Sequence, residues 1–476
     1  MSIGSILNMA RAGMSVQQAA IQTASQNISN ATTEGYSRQR ADTATSLPTV
    51  FPYGTIGTGV EITGISRARD VLLDATYRSD ASGATGADTT AASLNQIQGI
   101  FNEPSDNGLS ASLDAFWSSW SDLSTDPTNT AAKSVVRQSG QTVATKLNQM
   151  ASQIDQLDQS NREAMNADVN KVNELGGQIA QYNTQILSAE SNGNSANDLR
   201  DARDRLLDQL SKLAGGQVVE RTNGTVGVYI SGRMIVDGAT VKPLQMIDGQ
   251  PPTVAYSGSN IPLAGIGGSL GAEITLSSTH IPDVMAKLDS LAKGIVQSVN
   301  AIHSTGKIYS GTPPVASAAG NFFDVTNPAP SGVDPRLTAR GMRLATTMTD
   351  ANAVAVSGAA ATGPGNNDAA LALAGLQSSS QTITSAAGAT VATTTLGDFY
   401  NSIIGDLATT TSQAQDDSTV KTTMMTNANT RRQSVSGVTT DEELINVIQH
   451  QHSYQAAARL VNTVDQMMQT LIGLGQ

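Results

Sequence analysis

Apolar residues recur at heptad spacing at both ends of the chain. Near the start, Leu7, Met14, Ile21 and Ile28 fall seven apart, with Ile3, Ala10, Ala24 and Ala31 on the adjacent row. Near the end, Val447, Tyr454, Val461 and Met468 repeat that spacing, and Ala457, Val464 and Leu471 follow three residues after the last three. A stripe of this period predicts an amphipathic helix with one apolar seam at each end. Asp441, Glu442 and Glu443 supply a cap and first-turn acids for the second helix, and Gly473 and Gly475 mark its end. Narrow seams leave an isolated helix marginal. They can close on each other within one molecule or on neighbouring molecules, and the expectation taken here is the second.

The interior alternates between periods. Leu109, Leu113, Phe116, Trp120 and Leu123 lie on one face of a short helix that stops at Asp126-Pro127, where both tryptophans read as core. Leu147, Met150, Ile154, Leu157, Asn161, Met165, Val169, Val172, Leu175, Ile179, Tyr182 and Ile186 then step by three and four, with an irregular centre. Helix over 130–190 would extend about 90 Å at 1.5 Å per residue. Residues 198–214 form a further amphipathic helix closed by Gly215-Gly216. The period changes at Val218, Val219, Val226, Val228, Ile230, Ile235 and Val236. Asn223-Gly224, Ser231-Gly232 and Asp237-Gly238 separate these into short antiparallel strands. Helical spacing returns at Leu288, Leu291, Ile295, Val299 and Ile302, and again over 396–434, while 306–367 is loop-rich.

Composition narrows the chemistry. With 28 basic and 40 acidic residues the formal net charge is −12, and no basic cluster exceeds Arg431-Arg432, so nucleic acid is not an expected partner. The absence of cysteine excludes thiol nucleophiles, cysteine-ligated metals and disulfides. No continuous apolar run is long enough for a membrane span, and the first 20 residues lack the plan of a cleaved signal peptide. The four histidines, at 280, 303, 450 and 452, show no metal-ligand spacing, and His303 and His450 sit on packing rows. Gly267-Gly268-Ser269-Leu270-Gly271 fits G-x-S-x-G, with Asp283 or Asp289 and then His303 downstream. However, Pro262 and Gly265 precede it and AEITL after it reads as a strand, the wrong context for a nucleophile elbow. No phosphate-binding loop is present. No catalytic, cofactor or metal residue is therefore assigned.

The segment SQNISNATTEGYSRQR at 25–40 ends the first helix, with Gly35 free to take a positive φ. It resembles the N-terminal motif of the bacterial flagellar rod, hook and hook-associated axial proteins, and Gly35-Tyr36-Ser37-Arg38-Gln39 is similar to the form in hook–filament junction members. The blocks at 101–127, 197–214, 396–400 and 431–472 agree with it; residues 238–365 match poorly. The resemblance implies a structural subunit without enzymatic activity or cofactor, exported through the flagellar type III channel and placed outside the cell between hook and filament. Its partners would be copies of itself, the hook protein, a second junction protein on the filament side and an export chaperone on the C-terminal helix. The assembly residues would be Leu7, Met14, Ile21, Ile28, Val447, Tyr454, Val461, Val464, Met468 and Leu471. A hook or filament subunit, or an exported hydrolase or adhesin, is the alternative.

The expected fold is mainly α with an inserted β-rich region, elongated and multi-domain, its terminal helices packed together in coiled-coil fashion. Residues 1–40 with 440–476 form the terminal assembly helices. Residues 41–215 with 280–305 and 366–439 form a long-helix rod domain, 216–279 a small antiparallel β domain, and 306–365 a loop-rich projecting segment.

Overall fold

The computed structural model describes residues 3–51, 54–311, 313–325 and 339–474. Its helices are α1 (Ile3–Ser29), α2 (Val71–Phe101), α3 (Leu109–Thr125), α4 (Thr130–Ala189), α5 (Asn197–Ala214), α6 (Gly268–Thr275), α7 (Ile281–His303), α8 (Asp368–Ala374), α9 (Leu396–Ser436) and α10 (Thr440–Leu474). Every described strand pair is antiparallel. The protein is therefore mainly helical, with its largest sheet, four strands in consecutive order from Gln217–Glu220 to Thr240–Val241, in the middle of the chain.

The α4 helix is the spine. Asn129 caps its first turn by accepting from the Ala132 N–H, and its apolar stripe serves two separate cores. As far as Ile154 it packs with α3, α7, the end of α2 and the first turns of α9 around Phe116, Trp120, Phe322 and Tyr400. From Met165 onward it packs with α5 and the four-stranded sheet around Leu207, Val228 and Val236. Asn161 lies between the two cores, buried, and donates to the Glu273 carbonyl (2.8 Å) and the Ser277 hydroxyl (2.8 Å). The irregular centre of the stripe is the place where one core gives way to the next.

The tight turns of the sheet fall where their residue types require. Ser231 and Gly232 both have positive φ (52° and 70°), the pair of left-handed residues that a two-residue hairpin with matching twist needs.

Three expectations are corrected. AEITL is helical: Gly268 opens α6, Leu270 faces the sheet-side core and Leu276 the other, and five alternating residues are too few to separate a strand from a helix period. The segment 306–365, expected to project, sends Phe322, Phe323, Met342, Met348 and Val354 into the α3–α4–α7 core. Two short antiparallel strand pairs lie in it, Lys307–Ser310 with Val315–Ala318 and Phe323–Val325 with Met342–Leu344, the second carrying Phe323 and Met342. Antiparallel strands Gln39–Thr45 and Val60–Arg67 form a further hairpin beside α1, in a stretch expected to belong to the helical rod.

Candidate functional site

α1 and α10 lie antiparallel. Gln17 and His450 meet across them at 2.7 Å, and Asn27 meets Glu443 at 3.0 Å. Part of each heptad seam is therefore closed within one chain. Val464 is buried, while Leu7, Met14, Ile21, Ile28, Val447 and Val461 are half-buried. Tyr454 and Met468 are exposed, and the Leu471 side chain lies outside the described residues. α10 also presents Leu444, Ile445, Ile448, Leu460 and Met467 to solvent, with Ile445 at 64% and Ile448 at 54% exposure. An apolar row this exposed on an ordered helix is unusual for a molecule that works alone.

The pair joins the body through two short crossings, 30–38 and 437–439. The Arg38 N–H donates to the Ser436 carbonyl (2.9 Å), tying the first crossing to the end of α9. Gly35 turns the first with φ +76°, and a Cβ there would lie 2.2 Å from Arg205 Cγ. Immediately after it, Ser37 docks on α5: its N–H and hydroxyl both donate to Asp201, at 2.9 and 2.7 Å.

α5 supplies the anchor because its aspartates share a face. Asp198, Asp201, Asp204 and Asp208 step by three, three and four, which stacks their carboxylates along one side of the helix. Each is claimed by another segment. Asp198 accepts from Gln39 Nε2, and Arg67 donates to Asp201 (2.7 Å) and Asp204 (2.8 Å). Arg69 donates to Asp204 (2.9 Å) and also pairs with Asp74 at 2.6 Å. Arg78 and Arg432 meet on Asp208 (2.7 and 2.6 Å), and the Arg432 guanidinium lies 3.6 Å over the Tyr77 ring. Burial opposes ionisation of Asp204, yet Arg69, Arg67 and Arg78 hold its carboxyl below the usual range. Apart from the exposed Asp198, the carboxylates lie at least partly buried against arginines, the condition under which such charges are tolerated in a protein interior.

Three distant blocks of the sequence thus meet at one junction: 27–39, 197–208 and 432–443. The heptad stripes pointed to the helices but not to this joint. The signal available was the aspartate spacing within α5.

The residues of the G-x-S-x-G string are tied elsewhere. The Ser269 hydroxyl donates to the Asp168 carboxylate. His303 is fully buried against Trp120 and Phe322; its Nδ1–H donates to the Gly320 carbonyl (2.7 Å), and its Nε2 accepts from the Ala355 N–H (3.0 Å). Burial pushes its pKa down to about 4, so the ring is neutral at pH 7. Asp283 pairs with Lys287 (3.1 Å), and Asp289 accepts from the Ala339 N–H (2.8 Å). Among the described residues no helix is long and apolar enough to cross a membrane, and no three His, Asp or Glu side chains are grouped to hold a metal.

Comparison with known proteins gives a consistent set of similarities. Residues 94–323 match the model of the flagellar hook-associated protein FlgK helical domain, and 423–474 that of the flagellar basal body rod FlgEFG protein C-terminal region. Flagellar hook-associated protein 1 of Bacillus subtilis is 30% identical, over 98% of each chain. Its counterpart in Salmonella typhimurium is 25% identical, over 99% of this chain and all of the other. The structure of the flagellar hook junction protein FlgK from Burkholderia pseudomallei superposes with a TM-score of 0.64 at 17% identity, covering 76% of this chain and all of that one. At that identity the superposition speaks for the fold.

Proposed function

The chain belongs to the flagellar hook-associated protein 1 family, and on that premise we propose that it forms the layer joining hook to filament, assembling through the α1–α10 pair. The observation that carries this reading is the apolar row left open on α10 after α1 has taken its share: Leu444, Ile445, Ile448, Leu460 and Met467. Tyr454 and Met468, on the seam row of the same helix, are exposed as well, and the half-buried Leu7, Met14, Ile21, Ile28, Val447 and Val461 line the pair, with Val464 buried and Leu471 continuing the stripe in sequence. Copies of the chain, the hook protein and a second junction protein on the filament side would cover this row. Before export through the type III channel, a chaperone on the C-terminal helix would do so. The role is structural, and every partner is a protein.

Paired substitutions test it. Ile448→Asp places a solvated carboxylate on the isolated chain and an unpaired one in the assembled contact, where desolvation costs several kcal/mol. The purified variant is expected to melt like the wild type while filament attachment is lost. Val464→Asp, in the buried seam, is expected to loosen the helix pair in the isolated chain as well. Normal filament attachment with Ile448→Asp would remove this row from the interface.

A further inference from the structure

Asn27 is 1% exposed, and both ends of its amide are fully used. Its Nδ2 donates to the Gln39 carbonyl (2.8 Å) and to Glu443 Oε2 (3.0 Å). Its Oδ1 accepts from the Tyr36 hydroxyl (2.9 Å) and the Gln39 N–H (2.9 Å). That exhausts the two donors and two lone pairs of a carboxamide. The other oxygen of Glu443, a residue 2% exposed, accepts from Arg38 Nε at 2.8 Å. Burial together with the nearby carboxylates of Asp198, Asp201 and Glu443 pushes the Tyr36 phenol up to about 12, so it remains a donor at any physiological pH.

These bonds have a direction in the fold. Asn27 and Glu443 belong to the α1–α10 pair, whereas Tyr36, Arg38 and Gln39 belong to the crossing that Ser37 fastens to Asp201 on the body. A swing of the pair relative to the body would strain the Asn27 bonds to Gln39 and Tyr36 and the Glu443 bond to Arg38 together. Each group so released would be a buried polar atom without a partner, which is costly enough to disfavour half-open positions.

We propose that Asn27 is the positioning residue of a latch that sets the angle between the terminal helix pair and the body, and so fixes the direction in which the α10 row meets the next subunit. This rests on the assembly reading for its purpose. Its existence is a property of the isolated chain.

The chain has no cysteine, so two introduced cysteines can be spin-labelled without background. We choose Gln209→Cys on α5 and Arg459→Cys on α10, both exposed, and read their separation by pulsed electron–electron resonance on the full-length chain. A single narrow distance is expected in the labelled parent. Asn27→Ala should broaden it, and Asn27→Asp should broaden it further because the new carboxylate faces Glu443. Adding Glu443→Gln to Asn27→Asp removes that repulsion and should narrow the distribution again, a reversal that general damage to the fold would not give. Should Asn27→Ala fail to fold, Tyr36→Phe removes one bond of the latch and should broaden the distance to a smaller degree. An unchanged narrow distance in the folded Asn27→Ala or Tyr36→Phe chain overturns the latch and leaves the assembly reading standing. A broadened distance with normal filament attachment keeps the latch and overturns its purpose in aiming α10, while the assembly reading stands or falls on Ile448→Asp.

Discussion

At the level of single residues, the least expected group is Glu273. It is 7% exposed, its Oε2 has no hydrogen-bond partner, and burial beside Asp168 pushes its carboxyl up to about 8. The folded chain therefore holds a proton that the unfolded chain releases above its ordinary value near 4.5. Stability from this site is full below pH 4.5 and is lost as pH rises toward 8, at up to about 1.4 kcal/mol per pH unit. His303 acts in the opposite sense: with its folded value near 4 against an ordinary 6.5, it costs stability as pH falls between those two values. Glu273→Gln is accordingly expected to raise the melting temperature of the isolated chain more at pH 8 than at pH 5, and an equal shift at both values would refute the assignment. None of this was visible in the sequence, where Glu273 was one letter in a stretch that reads as a strand. Gly35 was legible, because a helix stop followed by Gly-Tyr demands the positive φ that is found. Asn27 was not: its role depends on Glu443, 416 positions away.

Among the elements, α4 is the one the chain announces most clearly, since its apolar residues recur by threes and fours from Leu147 to Ile186 and the helix covers 130–189. What its stripe does not show is Gly140 within it. A Cβ at that position would come within 2.5 Å of Phe322 and 3.2 Å of Phe116, so the glycine makes room for the aromatic cluster. Alanine favours a helix interior by about 1 kcal/mol, yet overpacking a filled core costs roughly 1–3 kcal/mol. Gly140→Ala is expected to destabilise, seen as a lower urea midpoint with an unchanged slope; a higher midpoint would show that the aromatic cluster has room for a methyl group. The α2 helix went unread for the reverse reason. Between Tyr77 and Leu94 its buried apolar residues are Ala81, Ala84, Ala87 and Ala91, which carry little hydrophobic contrast. Thr and Ser dominate much of α9, yet its helical spacing over 396–434 was legible.

For the whole molecule, the heptad stripes revealed the terminal helices, and the change of period revealed the β insert. The joint between ends and body came from charges whose partners lie in other blocks, and the loop-rich 306–365 concealed core residues because Phe322 and Phe323 are flanked by polar and small neighbours without a period. Both large cores draw on residues between Leu94 and Leu407, so the α1–α10 pair is an appendage fastened at one junction. A body whose cores leave out the α1–α10 pair, and a pair that leaves apolar side chains exposed, suit the junction role proposed above. The central claim is that this chain joins hook to filament, and electron micrographs of cells lacking it test that most directly. Hooks of normal length without attached filaments, restored by the wild-type chain, are the predicted result. Filaments still seated on hooks in its absence would contradict the account.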